Sequence, residues 1–195
     1  MQSEVIDSLI RSLQSLPGIG VRSAQRIAMH LLEHNREGGK ILANNLLQAM
    51  DKINNCRLCR NLTELETCKI CSSEKRDHST ICVVETPMDL FAIEQAGVYS
   101  GLYFVLMGKL SPIDRTGPKE IGLDILETRI ADGEIRELII ATSATVEGEA
   151  TSHYIASMAE DIGVKATRLA HGIPLGGELE YIDGATLSHA FSGRR

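Results

Sequence analysis

The apolar positions follow one period in the first quarter of the chain and another after residue 80. In residues 4–16, Val5, Leu9, Ile10, Leu13 and Leu16 recur at three- and four-residue steps, which is one face of a helix. Pro17 ends that helix, because the residue before a proline is pushed out of the α region. A second run of helical period passes through Ile27, Leu31 and Leu32. The intervening Pro17-Gly18-Ile19-Gly20 predicts a tight turn joining the two. Gly38-Gly39 breaks the pattern, and residues 41–53 read as a third helix. Beyond residue 80, short apolar runs at 81–84, 103–107, 138–141 and 164–170 alternate with helical runs at 88–95, 121–131 and 152–162. Such alternation predicts an α/β domain whose parallel sheet carries helices on its faces, joined by right-handed crossovers. Cys82, in the middle of the first strand, reads as a small core hydrophobe.

Composition narrows this picture modestly. With 195 residues, 43% hydrophobic and 24% charged, the chain has room for one medium domain and a smaller one. No apolar run approaches the roughly 18 residues of a membrane span. The start, Met1-Gln-Ser-Glu-Val-Ile-Asp7, has neither the basic nor the apolar region of a secretion signal, so the cytoplasm is the expected location. The formal net charge of −6 is unevenly spread: residues 11–32 hold three arginines and no acid, whereas residues 83–163 hold fourteen acids against five bases. The first part is therefore free to meet phosphate, and the acid belongs to the second.

Between the two periods, residues 54–79 offer few apolar side chains. They carry Cys56-Arg-Leu-Cys59 and Cys68-Lys-Ile-Cys71 instead. Two CxxC knuckles this close can place four thiolates around one Zn²⁺, the closed tetrahedral arrangement of a structural site. Disulfides belong to secreted chains, so the expected cofactor is one structural zinc, which would also supply most of this segment's folding free energy.

At the N-terminus, Gly18 and Gly20 permit positive φ and close approach of backbone. The second helix turns its amides and positive dipole end towards the same spot, and Arg22 and Arg26, four apart, share one helical face. The string resembles the helix-hairpin-helix motif of proteins that bind DNA without reading its sequence. That resemblance implies DNA contacts from Gly18, Gly20, Arg22 and Arg26, and the plainer alternative is an ordinary helical hairpin with solvated arginines. Two arginines grip weakly alone, so several copies are expected to act together.

In parallel sheets the functional groups gather beyond the carboxyl ends of the strands. Glu85 and Asp89 follow the first strand, and Glu147 and Glu149 follow the third. These acids could converge on one Mg²⁺, a second candidate cofactor, because that cation wants carboxylate oxygens. Alternatively Asp89 and Glu149 serve helix N-termini while Glu147 is solvated. The arrangement resembles the Toprim fold, with Glu147-Gly148-Glu149 in place of an Asp-x-Asp. No P-loop is formed, since Gly39-Lys40 and Gly108-Lys109 are followed by Ile41 and Leu110. His153 and His171 lack neighbouring ligands and read as structural or surface residues. Residues 171–177 read as extended, and a short amphipathic piece surrounds Leu187 and Phe191.

Taken in order, Leu16-Pro-Gly-Ile-Gly20, the four cysteines, Ile81-Cys-Val-Val-Glu85, Leu110-Ser-Pro112, Thr145-Val-Glu-Gly-Glu-Ala-Thr151, Thr167-Arg-Leu-Ala-His-Gly172 and Leu179-Glu-Tyr181 resemble the RecR family of bacterial recombination mediators over nearly the whole length. The resemblance implies four segments: a helix-hairpin-helix domain at 1–54, a C4 zinc finger at 55–79, a Toprim domain at 80–172 and a C-terminal tail making oligomer contacts at 173–195. It implies a DNA-repair protein that is not an enzyme, a clamp of several copies, commonly a tetramer and otherwise a dimer. Such a clamp works with RecO and RecF to place RecA on single-stranded DNA, and the Toprim acids dock partners. Phe104 stands where relatives usually have His, Arg115 where Gly is usual, and Ser143-Ala144 replaces Asn-Pro. The competing readings are a Mg²⁺-dependent Toprim nuclease or nucleotidyl transferase using Glu85, Glu147 and Glu149, and a protein adaptor whose DNA contact is incidental.

Overall fold

The computed structural model describes residues 3–170, 173, 176 and 178–193, and the chain falls into two compact units, Met1–Ile53 and Asn54–Arg195. Expectations placed on His171, Gly172 and the extended run to Gly177 lie outside the described residues in whole or in part.

The first unit is three helices, α1 (Glu4–Gln14), α2 (Val21–His34) and α3 (Arg36–Lys52). Ile10 of α1 is buried against Ala24 and Ala28 of α2, with Ile6, Leu9, Leu13, Ile19 and Met29 around them. The two alanines, one helical turn apart, leave room for α1 to approach. Val5 and Leu16, at the ends of the apolar stripe, are exposed. Helix α3 begins five residues before the predicted 41–53 run and takes in Gly38 and Gly39. Asn35 is the reason: its Oδ1 accepts from the Gly38 amide at 3.0 Å, and such a cap offsets the poor helix propensity of two glycines.

The second unit opens with a two-residue antiparallel pair, β1 (Asn54–Asn55) and β2 (Leu62–Thr63), which carries the first cysteine knuckle in its turn. Then come β3 (Asp77–Val84), α4 (Pro87–Ala96), β4 (Gly101–Val105), α5 (Leu123–Ala131), β5 (Glu137–Ala141), α6 (Val146–Ile162) and β6 (Lys165–Arg168). The four long strands form one parallel sheet in the order β4-β3-β5-β6. Strand alternation sorts the side chains. Ile81, Val83, Leu102, Phe104, Leu138 and Ile140 pack with Leu126 and Ile130 of α5 and Ile155 and Met158 of α6. Cys82, Val84, Tyr103 and Val105 face the other way onto Leu90 of α4. Burial pushes the Cys82 thiol up to about 12, so it is a neutral packing group. After a 3₁₀ turn at Leu179–Tyr181, α7 (Gly184–Ser192) covers the predicted amphipathic piece.

One boundary matters for the site. Helix α6 starts six residues ahead of the predicted 152, because Thr145 caps it by accepting from the Gly148 amide at 3.2 Å. Glu147 and Glu149 therefore stand on the first turn of a helix, which is the helix-N-terminus alternative for Glu149, although the predicted run at 152–162 begins after both.

Candidate metal centre, nucleic-acid interface and acidic face

Cys56, Cys59, Cys68 and Cys71 are all buried, are not disulfide-bonded, and bring their sulfurs within 4.8 Å of one another. Each knuckle turns back on itself through the backbone: Arg60 N donates to Cys56 O at 2.8 Å and Ser72 N to Cys68 O at 3.0 Å. The Cys68 amide also donates to Cys56 Sγ at 3.2 Å. Cys59 Sγ and Cys68 Sγ lie 3.5 Å apart. Cys59 is pushed far up because its thiol bonds to Cys68 and Cys71 in a buried site, and Cys68 is driven far down by bonds from Cys59 and Cys71. Four sulfurs pulled this close without a disulfide fit one tetrahedral soft-metal site, with zinc the ion such ligands hold most often. The described residues contain no other group of three or more metal-ligating side chains.

The predicted DNA contacts lie on the hairpin of the first unit. Gly18 has φ +77°, a left-handed conformation that admits glycine without strain. Gly20 is the N-cap of α2 with extended backbone; no side chain caps the helix and no acid stands in its first turn. Its leading amides are left open to an outside acceptor. Arg22 and Arg26 are both exposed, and neither has an ion-pair or hydrogen-bond partner among the described residues.

The four acids of the second unit are not gathered into one ligand set. Glu85, just past β3, accepts from Ser143 N at 2.8 Å and Ser143 Oγ at 2.9 Å. Asp89 accepts from Thr86 N at 2.8 Å and completes a capping box on α4. These two, with Ser143 and Leu169, line a cleft of about 280 Å³. Glu147 turns to Lys109 Nζ at 3.4 Å, and its own amide, followed by that ammonium, holds its carboxyl below the usual range. Glu149 takes both arms of Arg168, at 2.8 and 2.5 Å. The divergence has a simple cause: residues two apart on a helix do not face each other, so starting α6 at Val146 sends Glu147 and Glu149 to different sides. Gly148 between them is buried against Ser143, whose carbonyl oxygen a Cβ at this position would strike.

Several functional contacts carry no signal in the sequence pattern. Arg60 Nη1 donates to Leu106 O at 3.1 Å and to Ile121 O, and its guanidinium lies 5.8 Å from the Phe104 ring centroid. Arg129 Nη1 joins Leu58 O and Tyr103 O at 2.7 and 2.9 Å. Val105 N donates to Cys59 O at 2.8 Å. Together they seat the cysteine knuckle on β4, the edge strand, whose outward backbone groups would otherwise be unpaired. On the same strand, Tyr103 OH donates to Glu94, which also pairs with Arg76.

Comparison with known proteins agrees with this architecture. Residues 6–50 match the family model described as "RecR, helix-hairpin-helix", residues 79–170 the "Toprim domain", and residues 172–195 "RecR, C-terminal". Curated proteins named "Recombination protein RecR" align over essentially their whole length. The one from Saccharophagus degradans is 56% identical over 195 residues, covering 100% of this chain and 99% of the relative. The one from Xanthomonas oryzae pv. oryzae is 56% identical over 192 residues, 98% of each, and that from Methylococcus capsulatus is 53% identical over 194 residues, 100% and 98%. On identity of this extent, with the helical hairpin, the four-cysteine cluster and the parallel sheet in the same chain, the protein belongs to the RecR family of recombination proteins.

Proposed function

We propose that the protein is a non-enzymatic mediator of recombinational DNA repair that holds DNA through Gly18, Gly20, Arg22 and Arg26 and docks partner proteins through Glu85, Asp89, Glu147 and Glu149. The observation that carries the DNA half is the pairing of two exposed arginines, without partners among the described residues, with an uncapped, acid-free helix start next to a left-handed glycine. Phosphate is the group that such a surface binds, through backbone amides and charge together. Contacts of this type position the nucleic acid without reading bases. The cofactor is one zinc per chain, held by the four cysteines, and its role is structural.

Two arginines per chain give a weak grip, so the working form is an oligomer, a tetrameric ring or a dimer, in which effective concentration multiplies the contacts. Support for self-association comes from α3, where Ile41, Leu42, Leu46, Leu47 and Met50 are all exposed. The partners are RecO- and RecF-type proteins, and the outcome is placement of RecA on single strands in the cytoplasm. No helix of the described residues is long and apolar enough to cross a membrane. The dispersal of the four acids onto Ser143, Thr86, Lys109 and Arg168 favours docking over Mg²⁺ chemistry.

The test is DNA retention at moderate salt by the double variant Arg22→Ala, Arg26→Ala. Retention is expected to be lost with the unfolding temperature unchanged, and undiminished binding would remove the hairpin from any DNA role.

A further inference from the structure

Past β4 the chain leaves the sheet abruptly: Met107 and Gly108 have φ of +61° and +155°. Residues 107–120 then form a loop, narrowed by a bridge between Ser111 and Thr116, before the chain returns at Ile121 to start α5. This loop is built against the acidic face. Gly108 N donates to Glu85 O at 3.0 Å, Lys109 Nζ to Thr145 Oγ1 at 3.0 Å and to Glu147 at 3.4 Å, and Leu110 N to Thr151 Oγ1 at 2.9 Å.

The two feet of the loop, Leu106 and Ile121, share one donor, Arg60 Nη1. Arg60 follows directly on the metal ligand Cys59, in a left-handed conformation (φ +62°) fixed by the turn of the knuckle. Its guanidinium is half-buried, bonds two carbonyls and lies by the Phe104 face, and the Asp124 carboxylate acts on it through space without a hydrogen bond among the described residues. A partly desolvated cation whose hydrogen bonds go to carbonyls, with the neighbouring carboxylate not bonded to it, keeps its place best while those carbonyls are held in position. Gly122, at φ +75°, is the other half of the fit, since a Cβ there would occupy the space of Arg60 Nη1.

We infer that Arg60 is a positioning residue that ties the loop at 107–120 to the metal-bound knuckle, so that metal occupancy sets the shape of the acidic docking face. The functional consequence rests on the docking reading above; the structural coupling does not. When the cysteine cluster loses its metal, the knuckle loosens, the guanidinium leaves the two carbonyls, and the neck of the loop opens beside Glu85 and Glu147.

Amide hydrogen exchange on the full-length protein, with zinc content measured in parallel, tests this without any partner present. Chelation of the wild-type protein is expected to speed exchange of residues 107–122 about tenfold, the scale of losing one charge-assisted hydrogen bond. Arg60→Ala with its full zinc content should already show that faster exchange, and chelating it should add less than about twofold to the loop. Arg60→Lys, which keeps a donor, should restore part of the protection. Residues 137–141 should stay protected in every state. Gly122→Ala removes the fit from the other side without touching the knuckle, and should give a fast loop with zinc bound even if Arg60→Ala fails to fold. Three results would each overturn the coupling: a loop that ignores chelation, an equal effect of chelation in wild type and Arg60→Ala, or loss of protection at 137–141 along with the loop. A failed docking reading would leave the exchange pattern intact and appear only as partner affinity insensitive to Glu85→Gln.

Discussion

In the residues up to Ile53, Ile10, Ala24 and Ala28 are the buried apolar side chains, while Ile41, Leu42, Leu46, Leu47 and Met50 line α3 in the open. From Asn54 onward the balance reverses, and one cluster gathers apolar side chains from β3, β4, β5, α5 and α6 on a single face of the sheet. Helices of this length owe most of their stability to packing of an apolar face, and the first unit leaves more of that face uncovered than the second. So small a core in the first unit, beside a second unit with a full one, fits the self-associating clamp proposed above.

Within the second unit the metal segment is the exception, since it buries cysteines in place of aliphatic side chains. Chelation should therefore have the largest effect of any perturbation, because structural zinc sites of this type contribute on the order of 10 kcal/mol. Tryptic cleavage at Arg57, Arg60 and Lys69 is expected to appear first, with the sheet core and the first unit still protected. Loss of all protection at once would show that the metal supports the whole chain.

The contrast in core also sets apart two truncations. Phe104→Ala removes a fully buried ring and should lower the stability of the second unit by about 3–5 kcal/mol. Leu47→Ala removes an exposed side chain and should change dilute-solution stability by about 0.5 kcal/mol or less, while weakening self-association. Urea midpoints measured at two protein concentrations separate the cases: a concentration-independent loss of several kcal/mol for Leu47→Ala would place α3 in a core.

A smaller, pH-dependent effect belongs to Glu94. Its carboxyl is held below the usual range by the Arg76 guanidinium first and the Tyr103 hydroxyl next, with both partners of the ion pair largely buried. A depressed folded-state pKa contributes stability above the unfolded value of about 4.3. That contribution is lost as pH falls through the lower folded value. Denaturation midpoints of the second unit should drop below about pH 4, and Glu94→Gln should flatten this fall; an unchanged profile in the variant would assign the acid sensitivity elsewhere.

Much of the scaffold could be read from the order of residues, because period and spacing are local signals. The run at 81–84 is the C-terminal half of β3, the run at 138–141 is nearly all of β5, and the two CxxC pairs do close on one point. Misread boundaries trace to side-chain caps outweighing composition: Asn35 starts α3 across two glycines, and Thr145 starts α6 early enough to part Glu147 from Glu149. Weighing a Thr or Asn three residues ahead of a glycine as a helix start would have found both. Arg60, Arg129 and the Arg76–Glu94 pair left no such trace, since their partners are backbone carbonyls or side chains 18 to 71 residues away. Long-range pairing of this kind is a product of the tertiary fold.

The salt dependence of DNA affinity tests the central claim most directly. Each phosphate neutralised contributes about 0.9 to the slope of log K against log salt on duplex DNA. Removing Arg22 and Arg26 should therefore flatten the slope by about 1.8 for every chain engaged, without a change in zinc content or unfolding temperature. An identical slope in the wild-type and Arg22→Ala, Arg26→Ala proteins would contradict the claim, because the phosphates would then be held by a different surface.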